Sequence, residues 1–335
     1  MKQAGRILRQ PLVSVIIPSF NHEDFVKTAI RSVLDQGIND IEVIVVDDGS
    51  SDGTVQRVSA IRDSRVQIVP QRENRRVHPR NLALSMARGR YVAFQNSDDE
   101  WKPGKLAAQL EVLENDPRVV VCFTGVEAIG PDGKTLTDSW ANGLFSTANR
   151  SSPAWLRHFF EAGNCLCLPS AVARREVVER AGRFRPSLIQ LSDFDLWVRL
   201  AALGEFRVIE HAFTRMRVIP GRNVSGPSPD ARRRSNVEFS YVLERFLDAP
   251  VFECLPDVFA DLLPKTVRSR VAYQAWLVAH AWVLGTPGHR LFADRALAVL
   301  LDDPSKREEL CEVFGVELIH AFNNKRGELE VGVAT

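Results

Sequence analysis

The run Ile41-Glu42-Val43-Ile44-Val45-Val46 is apolar and β-branched almost throughout, and it breaks directly into Asp47-Asp48-Gly49-Ser50-Ser51-Asp52-Gly53-Thr54. Such a run is buried on both faces, which suits a strand inside a parallel sheet and few other settings. A second run, Arg90-Tyr91-Val92-Ala93-Phe94, enters another acidic cluster, Gln95-Asn96-Ser97-Asp98-Asp99, with no helix cap between. Carboxylates at the ends of parallel strands are placed to hold a polar ligand. Together the two clusters imply a sheet edge that grips a nucleotide and a divalent metal.

The flanking segments alternate in the same sense. Residues 13–17 read as a buried strand, and Asp24 to Leu34 as its return helix, with Phe25, Ala29, Ile30, Val33 and Leu34 near helical spacing. A helix at 54–61, a strand at 66–69, a helix carrying Leu82, Met86 and Ala87 that Gly89 ends, and a helix opened by Pro103 and running through Leu113 continue the pattern. Alternation of this kind predicts an α/β protein with a parallel sheet. Further on the spacing predicts strands at 119–123, 166–172 and 214–219, a hairpin at Pro131-Asp132-Gly133, and helices at 174–181 and from Asp193 onward. Pro227-Ser228-Pro229-Asp230 marks a boundary with an N-cap, after which residues 237–247, 267–284, 290–300 and 307–313 read as helical. The expected organisation is a domain at 11–226, with halves at 11–125 and 126–226, and a helical extension at 227–335.

Composition limits the partners. The chain has 335 residues, 45% hydrophobic and 25% charged, with a net charge of +1, so nothing in the total points to nucleic acid. Of the basic runs, Arg72 to Arg80 is the better functional candidate, because it precedes a helix that should face a diphosphate; Arg232-Arg233-Arg234 reads as a solvated face. Five cysteines without a paired Cys-x-x-Cys spacing read as reduced thiols rather than a zinc or redox site. The basic, polar start lacks a signal-peptide core, which predicts a cytoplasmic location. No stretch reaches the length of apolar residues that a membrane span needs, which leaves only peripheral membrane contact open.

Five segments in order are Val15-Ile16-Ile17-Pro18-Ser19-Phe20-Asn21, the Val46 to Thr54 cluster, Arg80-Asn81 with Ala87-Arg88-Gly89-Arg90-Tyr91, Asn96-Ser97-Asp98-Asp99-Glu100-Trp101, and Ser192-Asp193-Phe194-Asp195-Leu196-Trp197-Val198-Arg199. In order and spacing the chain resembles the family 2 glycosyltransferases across residues 11 to 226. That resemblance implies the GT-A fold, a Rossmann-like mixed sheet, with a nucleotide-diphospho-sugar as donor and a glycan or glycoconjugate as acceptor. By the same resemblance Pro18, Ser19 and Phe20 border the base pocket. The resemblance also implies that Asp48 accepts from a uracil N3–H and that Asp98 is the ligand of the metal, Mg2+ or Mn2+. Asp193 matches the family's catalytic aspartate, the general base, with Asp195 as runner-up. UDP is expected ahead of dTDP or GDP.

Each role has a plainer alternative. Phe20 is either a stacking ring or a core aromatic, Asp99 either reaches the donor sugar or structures the turn, and Asp193 is either the base or a helix cap. Arg75 and Arg80 are candidates to compensate diphosphate charge, since guanidinium pairs bidentately with phosphate oxygens. Two departures thin the metal site. Asn96 replaces the first carboxylate of the family's Asp-x-Asp, and Ile219 stands where relatives carry a histidine two residues after the arginine, here Arg217, which is itself a candidate phosphate contact. One base with in-line attack implies inversion, and the absence of a Gln-x-x-Arg-Trp motif and of membrane spans implies transfer of one sugar at a time. The competing class is a catalytically silent nucleotide- or glycan-binding module. Acceptor choice is expected in a loop at Gly143 to Gly163 and in the helical tail.

Overall fold

The computed structural model describes residues 10–74, 78–223, 226, 228–265 and 267–314. They form two compact units: the described residues up to Ser152 with Cys165–Asn223, and Pro153–Asn164 with the described residues from 226 onward.

The first unit is built on one eight-stranded sheet. Its strands are β1 (Val13–Ser19), β2 (Ile41–Asp47), β3 (Val66–Pro70), β4 (Tyr91–Phe94), β5 (Glu100–Trp101), β6 (Val119–Ile129), β7 (Val172–Arg174) and β8 (Glu205–Arg217). They lie in the order β3-β2-β1-β4-β7-β6-β8-β5. The first four run parallel, β7 is antiparallel to both β4 and β6, β6 and β8 are parallel, and β5 returns antiparallel on β8. The register runs from Val13 opposite Ile41 to Ser19 opposite Asp47, and Ile16 lies opposite Phe94. The chain therefore leaves β1, β2 and β4 at one edge, which is what gathers the site.

The helices of this unit are α1 (Val26–Leu34), α2 (Thr54–Ser59), α3 (His78–Met86), α4 (Lys105–Asn115), the short α5 (Trp140–Leu144), α7 (Arg175–Arg180) and α8 (Ser192–Ala201), with α6 (Ser152–Glu161) leading out of it. Helix α1 buries Val26, Ala29, Ile30 and Val33, a single face at three- and four-residue spacing, in the same core as Val15, Ile17, Val43 and Val45. Each such valine contributes about 1.5–3 kcal/mol by leaving water. Gly89 is required where the chain turns into β4, since a Cβ there would lie 2.5 Å from the Ser14 nitrogen and 2.8 Å from the Tyr91 oxygen. On the other side of the sheet, Trp197 of α8 meets Phe94 at 6.4 Å and Phe123 at 5.0 Å, both edge-on, so α8 is clamped against β4 and β6.

Three expectations are corrected. The strand predicted at Leu166 to Val172 is confined to Val172–Arg174, because Leu168–Ser170 closes a 3-10 turn with Ser170 Oγ donating to the Cys167 oxygen at 2.7 Å. The closing strand predicted at Thr214 to Ile219 begins nine residues earlier at Glu205 and stops at Arg217. Its alternation is masked by exposed Glu210 and His211 near the bulges that shift its pairing with β6. The segment at Gly143 to Gly163, expected as a loop, carries helix α6 in its second half, with Trp155, Leu156, Phe159 and Phe160 buried.

The second unit is helical. Besides most of α6 it contains α9 (Pro229–Leu243), α10 (Val251–Val258), α11 (Arg270–Leu284), α12 (Pro287–Asp302) and α13 (Pro304–Phe314). Ser228, Ser269 and Thr286 cap α9, α11 and α12, their hydroxyls accepting from Ala231, Ala272 and His289 nitrogens. Its core is aromatic: Phe160 meets Phe246, Phe259 and Phe292, and His280 stacks between Phe160 and Trp276. Among the described residues no helix is long and apolar enough to cross a membrane.

Candidate active site

At the shared edge Ser19 ends β1 and Asp48 follows β2, with the Asp48 nitrogen donating to the Ser19 oxygen at 2.8 Å. Asp47 folds the turn onto itself, accepting from Ser50 nitrogen at 2.9 Å and Ser50 Oγ at 2.6 Å. The turn needs glycine at Gly49, where φ is +79° and a Cβ would meet the Glu73 backbone at 3.1–3.2 Å. Asn21 ties the two strand ends together: its nitrogen donates to Ser50 Oγ and its Oδ1 accepts from the Ser51 nitrogen, each at 2.8 Å. Pro18 is half-buried opposite Val46. Phe20 is 41% exposed, so it is not a core ring. Phe20 and buried Asp48 thus stand on adjacent strand ends.

The same edge holds buried polar atoms with no hydrogen-bond partner among the described residues: Ser19 Oγ at the end of β1, Gln71 Oε1 after β3, Gln95 Oε1 after β4, and Arg80 Nε on α3. Each costs roughly 1–3 kcal/mol if nothing meets it, and such groups call for a ligand or water. Burial lowers the pKa of Arg80, while the charges of Asp193 and Asp48 act against that, so its guanidinium lies within Coulombic reach of both. Its Cζ lies 5.8 Å from the Phe184 ring centre. Arg75 lies outside the described residues.

The acidic turn after β4 is locked from β8. Asp99 accepts from the Arg217 nitrogen at 2.6 Å and from Asn96 Nδ2 at 2.8 Å, so its carboxylate structures the turn. Arg217 is buried, and its guanidinium donates to the oxygens of Asp98 at 2.8 Å, Gly130 at 2.8 Å and Pro131 at 3.1 Å, and to Glu100. Arg217, a candidate phosphate contact or a surface pair by its place at a strand end, is neither: it is buried and its donors are committed to the protein. Ile219 is buried, its nitrogen donating to Asn223 Oδ1.

Asp98 follows in this turn with 13% of its side chain exposed. Burial raises its pKa, partly offset by His22 and Arg217, and burial and the Asp98 charge together push Asp99 well above the ordinary carboxylate range. His22 Nε2 lies 3.9 Å from Asp98 Oδ2. Two adjacent acids whose ionised forms burial disfavours suit a divalent cation. No group of three or more His, Cys, Asp or Glu among the described residues could hold one alone. The set fits a hard ion that takes one or two protein ligands and completes its shell with phosphate oxygens and water.

Asp193 is half-buried in the first turn of α8, its Oδ1 accepting from the Phe194 nitrogen at 2.8 Å. The N-cap position belongs to Leu191, which forms no side-chain cap, so Asp193 is not the capping residue. Asp195, the runner-up, is corrected: it is buried in an ion pair with Arg199, whose Nε donates to Oδ2 at 3.0 Å, and Arg185 lies 3.8 Å from its Oδ1. Burial raises the pKa of Cys167, and the charges of Asp99 and Asp193 raise it further, which puts both acids within reach of one thiol.

Asp48, Arg80, Asp98, Asp99 and Asp193 therefore converge from four segments. Sequence reasoning missed Gln71, Gln95 and His22. Gln95 did carry a signal, a polar residue directly after an apolar strand, whereas His22 lies in a loop without periodicity.

Residues 14–175 match the model of glycosyl transferase family 2. A Bacillus subtilis glycosyltransferase, TuaG, assigned to teichuronic acid biosynthesis, is 44% identical over 131 residues, covering 38% of this chain and 51% of that protein. The Escherichia coli UDP-Glc:alpha-D-GlcNAc-diphosphoundecaprenol beta-1,3-glucosyltransferase WfaP is 37% identical over 106 residues, 31% of this chain and 42% of that protein. The chain thus spans about half the length, or less, of these two relatives. Among solved structures, S. aureus TarS 1-349 in complex with UDP-GlcNAc superposes with a TM-score of 0.55 at 17% identity, covering 94% of this chain and 89% of that one. This likeness concerns the fold, which is GT-A.

Proposed function

Because the chain carries a glycosyl transferase family 2 domain at residues 14–175, we propose that it moves one sugar from a nucleotide-diphospho-sugar, a UDP-sugar first, to a hydroxyl of a glycan or glycoconjugate, with inversion. The carrying observation is the row of unpartnered buried polar atoms, Ser19 Oγ, Gln71 Oε1, Gln95 Oε1 and Arg80 Nε, beside Asp48 on the carboxyl edge of the parallel strands. WfaP, which is named for UDP-Glc as its donor, supports the choice of UDP.

In this reading Phe20 stacks on the base, Asp48 accepts its N–H, and Pro18 and Ser19 wall the pocket. Arg80 faces the diphosphate with Asn96 and Asp99 shaping the turn beneath the sugar; Arg75 stands as a further candidate. Asp193 takes the acceptor proton while the hydroxyl oxygen attacks the anomeric carbon and the bond to the diphosphate oxygen breaks with its electron pair. No second carboxylate is needed as nucleophile, and the ion pair of Asp195 with Arg199 supports that economy. Asp98, with Asp99 behind it, would hold Mg2+ or Mn2+, which when bound neutralises charge on the departing diphosphate.

The test is thermal shift with UDP-, dTDP- and GDP-sugars, followed by single-turnover transfer using the donor that stabilises the chain. Asp193→Asn is expected to keep donor affinity and lose about 10²- to 10⁴-fold in transfer rate. If no nucleotide-sugar raises the melting temperature, the reading fails. Donor binding without turnover by the parent points instead to a silent binding module.

A further inference from the structure

His22 belongs to none of the roles above, yet it is held firmly against the acidic turn. Its nitrogen donates to buried Thr54 Oγ1 at 2.9 Å, its ring meets Phe25 edge-on at 6.1 Å, and its Nδ1 lies 2.8 Å from the hydroxyl of buried Ser97. The other ring nitrogen, Nε2, has no hydrogen bond among the described residues and faces Asp98 Oδ2 at 3.9 Å, too far for a direct hydrogen bond. Two atoms that each lie about 2.1 Å from one ion are about 3 Å apart when adjacent and about 4.2 Å apart when opposite. The observed 3.9 Å lies between these two separations, so a small side-chain shift brings the pair to either. With Nδ1–H donating to Ser97, Nε2 carries its lone pair, the state in which a histidine binds metal; a hydrogen bond from the far nitrogen is the usual means of fixing it.

We propose that His22 is the second protein ligand of the divalent cation beside Asp98, making up for the amide at Asn96, and that it biases the site toward Mn2+ over Mg2+. This rests on the donor reading above, in which the remaining ligands come from the diphosphate. The chemistry of the donors sets the bias. Mg2+ holds to oxygen ligands and dehydrates reluctantly, whereas imidazole nitrogen favours transition-metal ions. Each Asp99 oxygen already accepts a hydrogen bond that holds the turn, so turning this carboxylate onto the ion would disturb both, whereas His22 Nε2 has no such commitment among the described residues.

The experiment uses the full chain with Mn2+ and UDP, and with GDP in parallel, read by electron paramagnetic resonance. Continuous-wave spectra count free Mn2+, and pulsed spectra detect a directly bound nitrogen. The parent is expected to show imidazole nitrogen coupling. His22→Ala should lose that coupling and bind Mn2+ at least about tenfold more weakly, with Mg2+ affinity by competition changed much less. Ser97→Ala, which keeps Nε2 but frees the ring, should fall between them. Bound Mn2+ without nitrogen coupling in the parent overturns the assignment to His22 and leaves the donor reading standing; this arm does not depend on any variant folding. A parent that binds no Mn2+ with either nucleotide overturns both the cation reading and this proposal.

Discussion

Replacing Arg217 by methionine separates a structural arginine from a ligand-binding one. Methionine keeps the length and the packing over Phe25, whose ring centre lies 4.8 Å from the guanidinium carbon. It removes the donors to the oxygens of Asp98, Gly130 and Pro131 and to the Glu100 carboxylate. Gly130 keeps the Gly133 nitrogen at 3.0 Å, and Glu100 keeps Arg215 at 2.6 Å. Pro131 is exposed, so water can meet its oxygen, and the loss is concentrated in the orphaned carbonyl of Asp98 and one charged hydrogen bond, together about 3–5 kcal/mol. For a unit of this size each kcal/mol shifts the melting temperature by about 2–4 °C, so a fall of about 6–20 °C is expected. Circular dichroism melts give the stability, and calorimetry with UDP in chelator at low temperature gives the affinity of the folded protein, expected to stay within about threefold, under 1 kcal/mol. The reasoning is refuted if the variant melts with the parent, or if UDP affinity collapses while the melting temperature holds, the pattern of a phosphate contact.

Asp48→Ala should weaken UDP binding by about 1–3 kcal/mol, the cost of an unpaired base N–H; equal affinity in calorimetry would remove Asp48 from the base pocket. Asp98 has a pKa raised above its ordinary 3.8, so its contribution to stability is fully present below that value and is lost as pH rises through the folded-state pKa. Asp98→Asn should therefore melt higher than the metal-free parent at pH 7 while losing Mn2+ affinity, and a lower melting temperature would contradict the sign. In the helical unit burial is the first cause holding His280 and His289 below the ordinary 6.5, and His289 Nε2 donates to the Phe160 oxygen at 2.7 Å. Their stabilisation is complete above 6.5 and is lost as pH falls through their depressed values. A His280→Phe, His289→Gln double variant should show a shallower acid destabilisation than the parent in melts between pH 7 and pH 5, values chosen to bracket the ordinary histidine range.

The parts of the fold legible in the amino acids were those whose burial is local. Strands β1, β2 and β4 announce themselves because a strand covered on both faces must be apolar at every position. The acidic clusters stand out because each interrupts such a run at a sheet edge, and Ser228 was readable as a cap because capping is a matter of neighbouring residues. The roles of particular side chains were not legible in this way. Arg217 and Asp98 are 119 residues apart, and only the return of β5 onto β8 turns that arginine from a candidate ligand contact into a support for the turn. Asp193 and Asp195 share one helix turn and one charge, and what separates them is Arg199 and Arg185 closing on the second. His22 acquires a partner only because β1 and β4 end at the same edge, and Pro153–Asn164 groups with the C-terminal helices through an aromatic core that no single segment encodes. Burial of a strand's own side chains is set by composition along the chain, whereas hydrogen bonds and ion pairs between distant segments exist only once the sheet order has brought those segments together.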